Sequence, residues 1–351
     1  MTLAVRLLCY VQPVGEDPKL PRLKEAALLY ERHLVARSIA ASTAHTRLLT
    51  VMALIQVVGD LDTARVEAVH VDRLFTAKAE WAPGTRNNHQ SHLRLFFEWC
   101  RFRGFMRKDS DPLFGWSHQK YSTPDRLRIP VTEWERLFGA CSTEIQKIII
   151  ATGLFLFLRS SEQQAIQLKH VHLDRSEIEI YRKKTRDHDT MPISSELDSY
   201  LRPHLVWLAG QGISHPDHYL IPTRTYPRNS ADGTGFIAGT GKLNPDRAFL
   251  HPHRYVQRVL AKAGYPTHQE GEHTLRRSGA RAYFDSLVSQ GYDGALRRVQ
   301  SMLGHKNAAM TEHYLGLTLD RQRRNNDLRG QPMFPALQDV HVIPLREVVH
   351  G

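Results

Sequence analysis

The chain has 351 residues, 41% hydrophobic and 24% charged, which describes a globular protein and favours two domains over one. Three widely spaced cysteines (Cys9, Cys100, Cys141) argue against a disulfide framework. The longest apolar run, 148–158, is interrupted at Thr152-Gly153 and falls short of a membrane span, so a cytoplasmic protein is expected. With 47 Lys and Arg against 36 Asp and Glu, the formal charge of +11 points to a nucleic-acid partner rather than a membrane, because no basic amphipathic helix with an aromatic face stands out.

Residues 1–18 read as an N-terminal extension, followed by helices over 19–106. Apolar spacing predicts a helix over Leu20–Arg37. A second is capped by Ser42 or Thr43 and stopped by Gly59-Asp60, and a third runs over Val66–Glu80. Pro83-Gly84-Thr85 opens a fourth, with Leu93, Phe97, Cys100 and Gly104 on one stripe. Ser42, Thr43, Arg86, His89 and Arg94 are the candidates here for DNA contact, although a solvated helix face explains the same residues. Weak periodicity, Asp111-Pro112 and Thr123-Pro124 mark 107–128 as a linker.

Beyond it, helices are expected over Thr132–Cys141, Glu144–Ile150 and Leu154–Val171. Two short strands, Glu177–Tyr181 and Thr190–Ile193, flank a basic turn. A helix over Ser195–Leu208 precedes a Gly/Pro/Ser-rich stretch, 222–245, read as a long loop. Helices resume at Arg254–Ala263, His273–Gln290, Gly294–Leu303 and Thr311–Asn325, and 331–351 is a tail. The fold class is therefore mainly α with a small β-sheet, α+β.

Four fragments of the second half carry chemistry: Leu158-Arg159-Ser160-Ser161-Glu162, Lys183-Lys184-Thr185, His273-Thr274-Leu275-Arg276, and Leu303-Gly304-His305 with Tyr314 nine residues later. His-x-x-Arg alone decides nothing, since it also occurs at His70/Arg73, His172/Arg175 and His251/Arg254. The ordered set supplies cations to hold a phosphate and a tyrosine hydroxyl to attack it. A phenol with a pKa near 10 is about one part in a thousand ionised at pH 7, roughly 4 kcal/mol from phenolate. Attack also builds charge on the non-bridging oxygens, which two guanidinium forks suit better than ammonium groups.

From about Thr132 to Arg329 the chain resembles the tyrosine recombinase, or phage integrase, family, and the helical 19–106 segment resembles that family's core-binding, DNA-clamping domain. The resemblance implies a catalytic domain over 129–330 with Arg159, Lys184, His273, Arg276, His305 and Tyr314 as catalytic residues. Tyr314 would be the nucleophile, Lys184 the general acid, His273 a base or relay, and Glu162 structural support for Arg159. Lys183 and Arg277 join the DNA-binding candidates; Arg277 stands where the family often has histidine. It further implies double-stranded DNA as substrate, a homotetramer on two DNA sites, and a tail that packs on a neighbouring protomer. An accessory DNA-bending or directionality factor stays open, as does the choice between Lys183 and Lys184. No cofactor or metal is expected, because guanidinium groups take the electrostatic role of a cation. Type IB topoisomerase-like relaxation and a catalytically silent DNA-binding protein of the same fold are the alternatives. A phage or mobile-element integrase is expected over a chromosome-dimer resolvase, without a separate arm-site-binding domain.

Overall fold

The computed structural model describes residues 20–121, 126–182, 187–225, 241–317, 320 and 329, with the backbone alone of 228–229 and 236–237. The chain divides into two units, Met1–Thr123 and Pro124–Gly351.

The first unit is helical: α1 (Leu23–Ala36), α2 (Ala41–Val58), α3 (Ala68–Ala77) and α4 (Pro83–Phe102). Leu23, Ala26, Ala27, Tyr30 and Leu34 recur at helical spacing on α1 and are buried, as are Val51, Leu54 and Ile55 on α2. By length and a mean hydropathy of 1.2, α2 could cross a membrane, yet its apolar face lies in this core and Thr50 bonds His89 and His92. Ser42 and Thr43 do not cap α2. The cap position is Ala40, whose carbonyl accepts from the amides of Thr43 and Ala44, leaving both expected caps exposed inside the first turn. Gly59 ends α2 at φ +83°. Gly104 lies beyond the end of α4 rather than on its stripe. Leu113, from the stretch read as linker, is buried in this core, with Trp116 packed on it.

The second unit opens with α5 (Trp134–Gly139) and α6 (Glu144–Phe155), the latter capped by the Thr143 hydroxyl, which accepts from the Gln146 amide at 3.2 Å. The helix expected over Leu154–Val171 is broken. Phe157 takes φ +53°, and a new short helix, α7 (Ser160–Ala165), starts after Arg159. The Glu162 carboxylate accepts from the Arg159 amide at 2.8 Å and so satisfies an amide at that helix start. Three antiparallel strands follow: β1 (Val171–His172), β2 (Glu177–Arg182) and β3 (Asp187–Pro192), with Ile178 opposite Met191 and Ile180 opposite Asp189. After α8 (Ser195–Gly210), the stretch expected to be a loop contains strands instead. β4 (Pro222–Arg224) pairs with β7 (Leu243–Ala248), and β5 (Arg228–Asn229) pairs with β6 (Phe236–Ile237). Four helices complete the unit: α9 (Pro252–Lys262), α10 (Glu272–Ser289), α11 (Ala295–Leu303) and α12 (Ala308–Leu315). Residues 321–325 of the last expected helix lie outside the described residues.

α6 is the centre of this unit, with Ile148, Ile149, Ile150, Ala151 and Leu154 all buried. It packs against α10 at a very close approach: a Cβ on Gly279 would overlap the Leu154 carbonyl. That contact brings the 157–159 turn beside the first turns of α10, which sets up the site.

Candidate active site

Three guanidinium groups gather around one buried carboxylate. Glu162, 2% exposed, accepts from Arg159 Nη1 at 2.7 Å and lies 3.6 Å from Arg276 Nη1 and 3.8 Å from Arg182 Nη1. All three arginines also reach the C-terminal end of α11. Arg159 Nη2 and Arg276 Nη2 donate to the Leu303 carbonyl at 3.3 and 2.6 Å, and Arg182 Nη2 donates to the Met302 carbonyl at 2.9 Å. Carbonyls of a last helical turn lack intrahelical partners and carry the negative end of the helix dipole, so cations belong there. Arg276 additionally donates to the Phe157 carbonyl freed by the break before α7.

Asp189 takes Arg182 at 2.6 Å, so among the described residues three cations face two carboxylates. Burial pulls Arg276, 1% exposed, down to about 10, with Arg159 and Arg182 adding to the effect and Glu162 opposing it. A buried cation without full compensation is costly, and an anion at this place relieves it.

Tyr314 stands beside this cluster. Its ring centroid is 5.9 Å from Arg276 Cζ, and its hydroxyl donates to the His273 carbonyl at a long 3.4 Å. Burial raises its pKa, while Arg276, Arg277 and Arg159 pull the other way. The phenol is thus protonated at neutral pH but surrounded by charges that favour its anion. His305 meets the Tyr314 ring edge-on, with centroids 5.4 Å apart, and its Nδ1 lies 3.1 Å from the Thr311 hydroxyl. Gly304 places His305 there by ending α11 in the left-handed region at φ +60°, where a Cβ would sit 2.7 Å from Arg182 Nη1. His273 is exposed on the first turn of α10. Packing on its inner side, then Arg276, Arg277 and Arg159, hold its imidazole below the usual histidine range.

Arg159, Glu162, His273, Arg276, His305 and Tyr314 are therefore brought together. Lys183 and Lys184, between β2 and β3 in the sequence, lie outside the described residues. Arg277, expected to contact DNA, is instead buried: it is ion-paired with Glu270 and donates to the Leu127 carbonyl at 3.4 Å. In the first unit Arg86 donates to the Phe75 carbonyl and Arg94 to the Trp116 carbonyl, while His89 stacks on Trp81 at 3.8 Å. These three are engaged in holding their own unit. Ser42 and Thr43 remain exposed at the start of α2. Arg182, on sequence only a rival to Lys184 in the basic turn, is instead a member of this cluster. Strand alternation carried the signal, since Arg182 shares the inward face of Ile178 and Ile180.

A tyrosine set beside arginines massed at a helix end is an arrangement suited to transferring a phosphoryl group through a tyrosine. Residues 128–320 match the sequence model of the Phage integrase family, more than half of the chain, and the protein belongs to that family. Among solved structures, it is similar to a lambda integrase dimer bound to a COC′ core site (16% identity, 84% of this chain and 77% of that one, TM-score 0.63). It is also similar to a lambda integrase tetramer bound to a Holliday junction (15%, 85% and 78%, TM-score 0.63). XerH recombinase bound to a palindromic difH substrate, after cleavage, matches with 17% identity over 86% of this chain and 83% of that one, TM-score 0.57. At these identities the likeness is one of fold. No curated protein matches the chain in sequence.

Proposed function

We propose that the chain is a site-specific DNA recombinase that cuts and rejoins strands through a 3′-phosphotyrosyl intermediate. The observation that carries this reading is the placement of Tyr314 against Arg276, which shares the Leu303 carbonyl with Arg159. The two guanidinium groups hold the non-bridging oxygens of the scissile phosphate. Tyr314 Oη forms the bond to phosphorus as the bond to the 5′-oxygen breaks. His273, neutral near pH 7, takes the phenol proton, Lys184 protonates the leaving 5′-oxygen, and His305 donates to the phosphate. A 5′-hydroxyl from a partner strand then reverses the step. The phosphotyrosyl link conserves the bond energy, so no nucleotide cofactor is called for.

On this reading 19–106 clamps the duplex, 107–128 links the domains, 129–330 carries the chemistry and 331–351 packs on a neighbour. Four protomers act on two sites in the cytoplasm, a reading supported by the lambda integrase tetramer bound to a Holliday junction. The test is covalent trapping on a library of nicked duplexes, followed by sequencing of the DNA-linked peptide. Tyr314→Phe abolishes the adduct and leaves DNA binding within about threefold. An adduct formed by that variant, or on another residue, overturns the assignment.

A further inference from the structure

The helix that carries Tyr314 is too short to place itself. α12 spans eight residues, about two turns, well below the length at which a helix persists unaided. Its start is capped by the Asn307 side chain, which accepts from the Met310 amide at 2.9 Å. Its end is held by two arginines. Arg128 Nη2 donates to the carbonyl of Tyr314 itself at 3.3 Å, and Arg281 Nη1 donates to the Leu315 carbonyl at 3.1 Å. These are last-turn carbonyls at the negative pole of the helix, where guanidinium groups are favoured. Gly316 admits the first of them closely: at φ +80° it ends α12, and a Cβ there would lie 2.7 Å from Arg128 Cζ.

Arg128 is rooted on the helix that also bears Arg276. The Leu127 amide donates to Glu270 Oε1 at 3.3 Å, just before α10, and the Ile129 amide donates to the Ser278 hydroxyl of α10 at 2.8 Å. The Ile129 side chain is buried in the main core. Residue 128 is therefore pinned on both sides, and its guanidinium ties the main chain of Tyr314 to the frame that holds the phosphate-binding arginine. Arg281 braces the same end differently, through ion pairs to Asp285 and Asp320.

Resting on the assignment of Tyr314 as nucleophile, we propose that Arg128 is a positioning residue, fixing the Tyr314 carbonyl so that the hydroxyl stays in register with Arg276. It touches no reacting atom. Displacement of about 1 Å at a reacting group costs on the order of 100-fold in rate, so the effect belongs in the chemical step. A cavity of about 890 Å³ beside Arg128, also lined by Arg281 and Asp285, means that truncation exposes water rather than emptying a packed core.

The probe is a nicked duplex selected from a random library by covalent capture with the unaltered protein. Single-turnover adduct formation at saturating duplex should fall about 30-fold in Arg128→Ala, with the Kd for that duplex within about threefold. Arg128→Lys, which keeps a donor and the charge, should recover a large part of the rate. Gly316→Ala, which pushes the guanidinium off the helix end, should reproduce the Arg128→Ala loss. An unchanged rate in Arg128→Ala overturns the proposal, as does a parallel loss of rate and binding without rescue by lysine. Absence of adduct with the unaltered protein removes the nucleophile assignment, and this role with it.

Discussion

Arginine does different work in the two units. In the first, Arg86, Arg94 and Arg101 each donate to one backbone carbonyl, of Phe75, Trp116 and Ser110, Arg101 also pairing with Asp111 at 3.5 Å, and each remains partly open to solvent. In the second, Arg159, Arg182 and Arg276 converge on two carbonyls of one helix end and on a single carboxylate, with two of the three nearly inaccessible. A dispersed arginine is a clasp between neighbouring segments, and its charge is dissipated in water. Converged arginines exceed the counter-charge of the described residues around them and, in a low dielectric, favour an anion. The formal charge of +11 belongs to both units, but only convergence turns charge into a site.

The sharpest way to break this contrast is to remove one converged cation. Arg276→Ala should lower adduct formation by about 10³, the scale of a lost preorganised donor at a charged transition state. It should also destabilise the fold by about 3 kcal/mol, because Glu162 and the Phe157 and Leu303 carbonyls lose a partner. Arg276→Lys keeps the charge but not the fork, and should recover stability more than rate. An unaltered rate for Arg276→Lys in single-turnover cleavage would show that the fork is irrelevant. Equal thermal stability of all three proteins would show that the cluster is not a structural hub.

A smaller effect should appear on the acid side. Desolvation and three neighbouring arginines hold His273 below the usual histidine range. The imidazole therefore stays neutral as the pH falls through about 6.5, the ordinary value. Cleavage should hold as the pH falls through 6.5 and drop only below it, and His273→Gln should remove this acid limb. Stability carries the same sign: the lowered native value contributes stability above the unfolded pKa, lost as the pH falls through the native one. A limb centred at or above 6.5, or one that survives in His273→Gln, would exclude His273 as the group that titrates.

The sequence and the fold agree most closely where chemistry dictates residue types. Arg159, His273, Arg276, His305 and Tyr314 were legible because four motifs in fixed order resemble those of one family and together supply groups suited to hold a phosphate and attack it. Arg277 was misread because successive residues of a helix point about 100° apart. Beside Arg276 it looked like another surface cation, yet its direction leads to Glu270 and Leu127, and no local pattern says which segment covers that face of α10. The break at Phe157 was hidden for a related reason: a run buried on all sides has no periodicity to lose. The strands within 222–245 were masked by Gly and Pro, and their pairing depends on non-local bonds such as the Thr225 amide to the Lys242 carbonyl.

The mildest test lies in the first unit and could overturn the contrast from its other side. If Arg86 and Arg94 are clasps, Arg94→Ala should release the Trp116 carbonyl and cost about 1 kcal/mol in unfolding free energy. Arg86→Ala should do the same at Phe75, with the loss of a cation–π contact at 5.1 Å. DNA affinity at fixed salt should change by less than about threefold in either, and the salt dependence of binding should keep its slope, since each phosphate contact removed lowers that slope by about one. A slope reduced by one unit with unchanged stability would mean that these side chains leave their carbonyls for phosphate when DNA arrives. The first unit would then hold its cations in reserve through weak clasps, and the distinction between the units would be one of timing rather than of role.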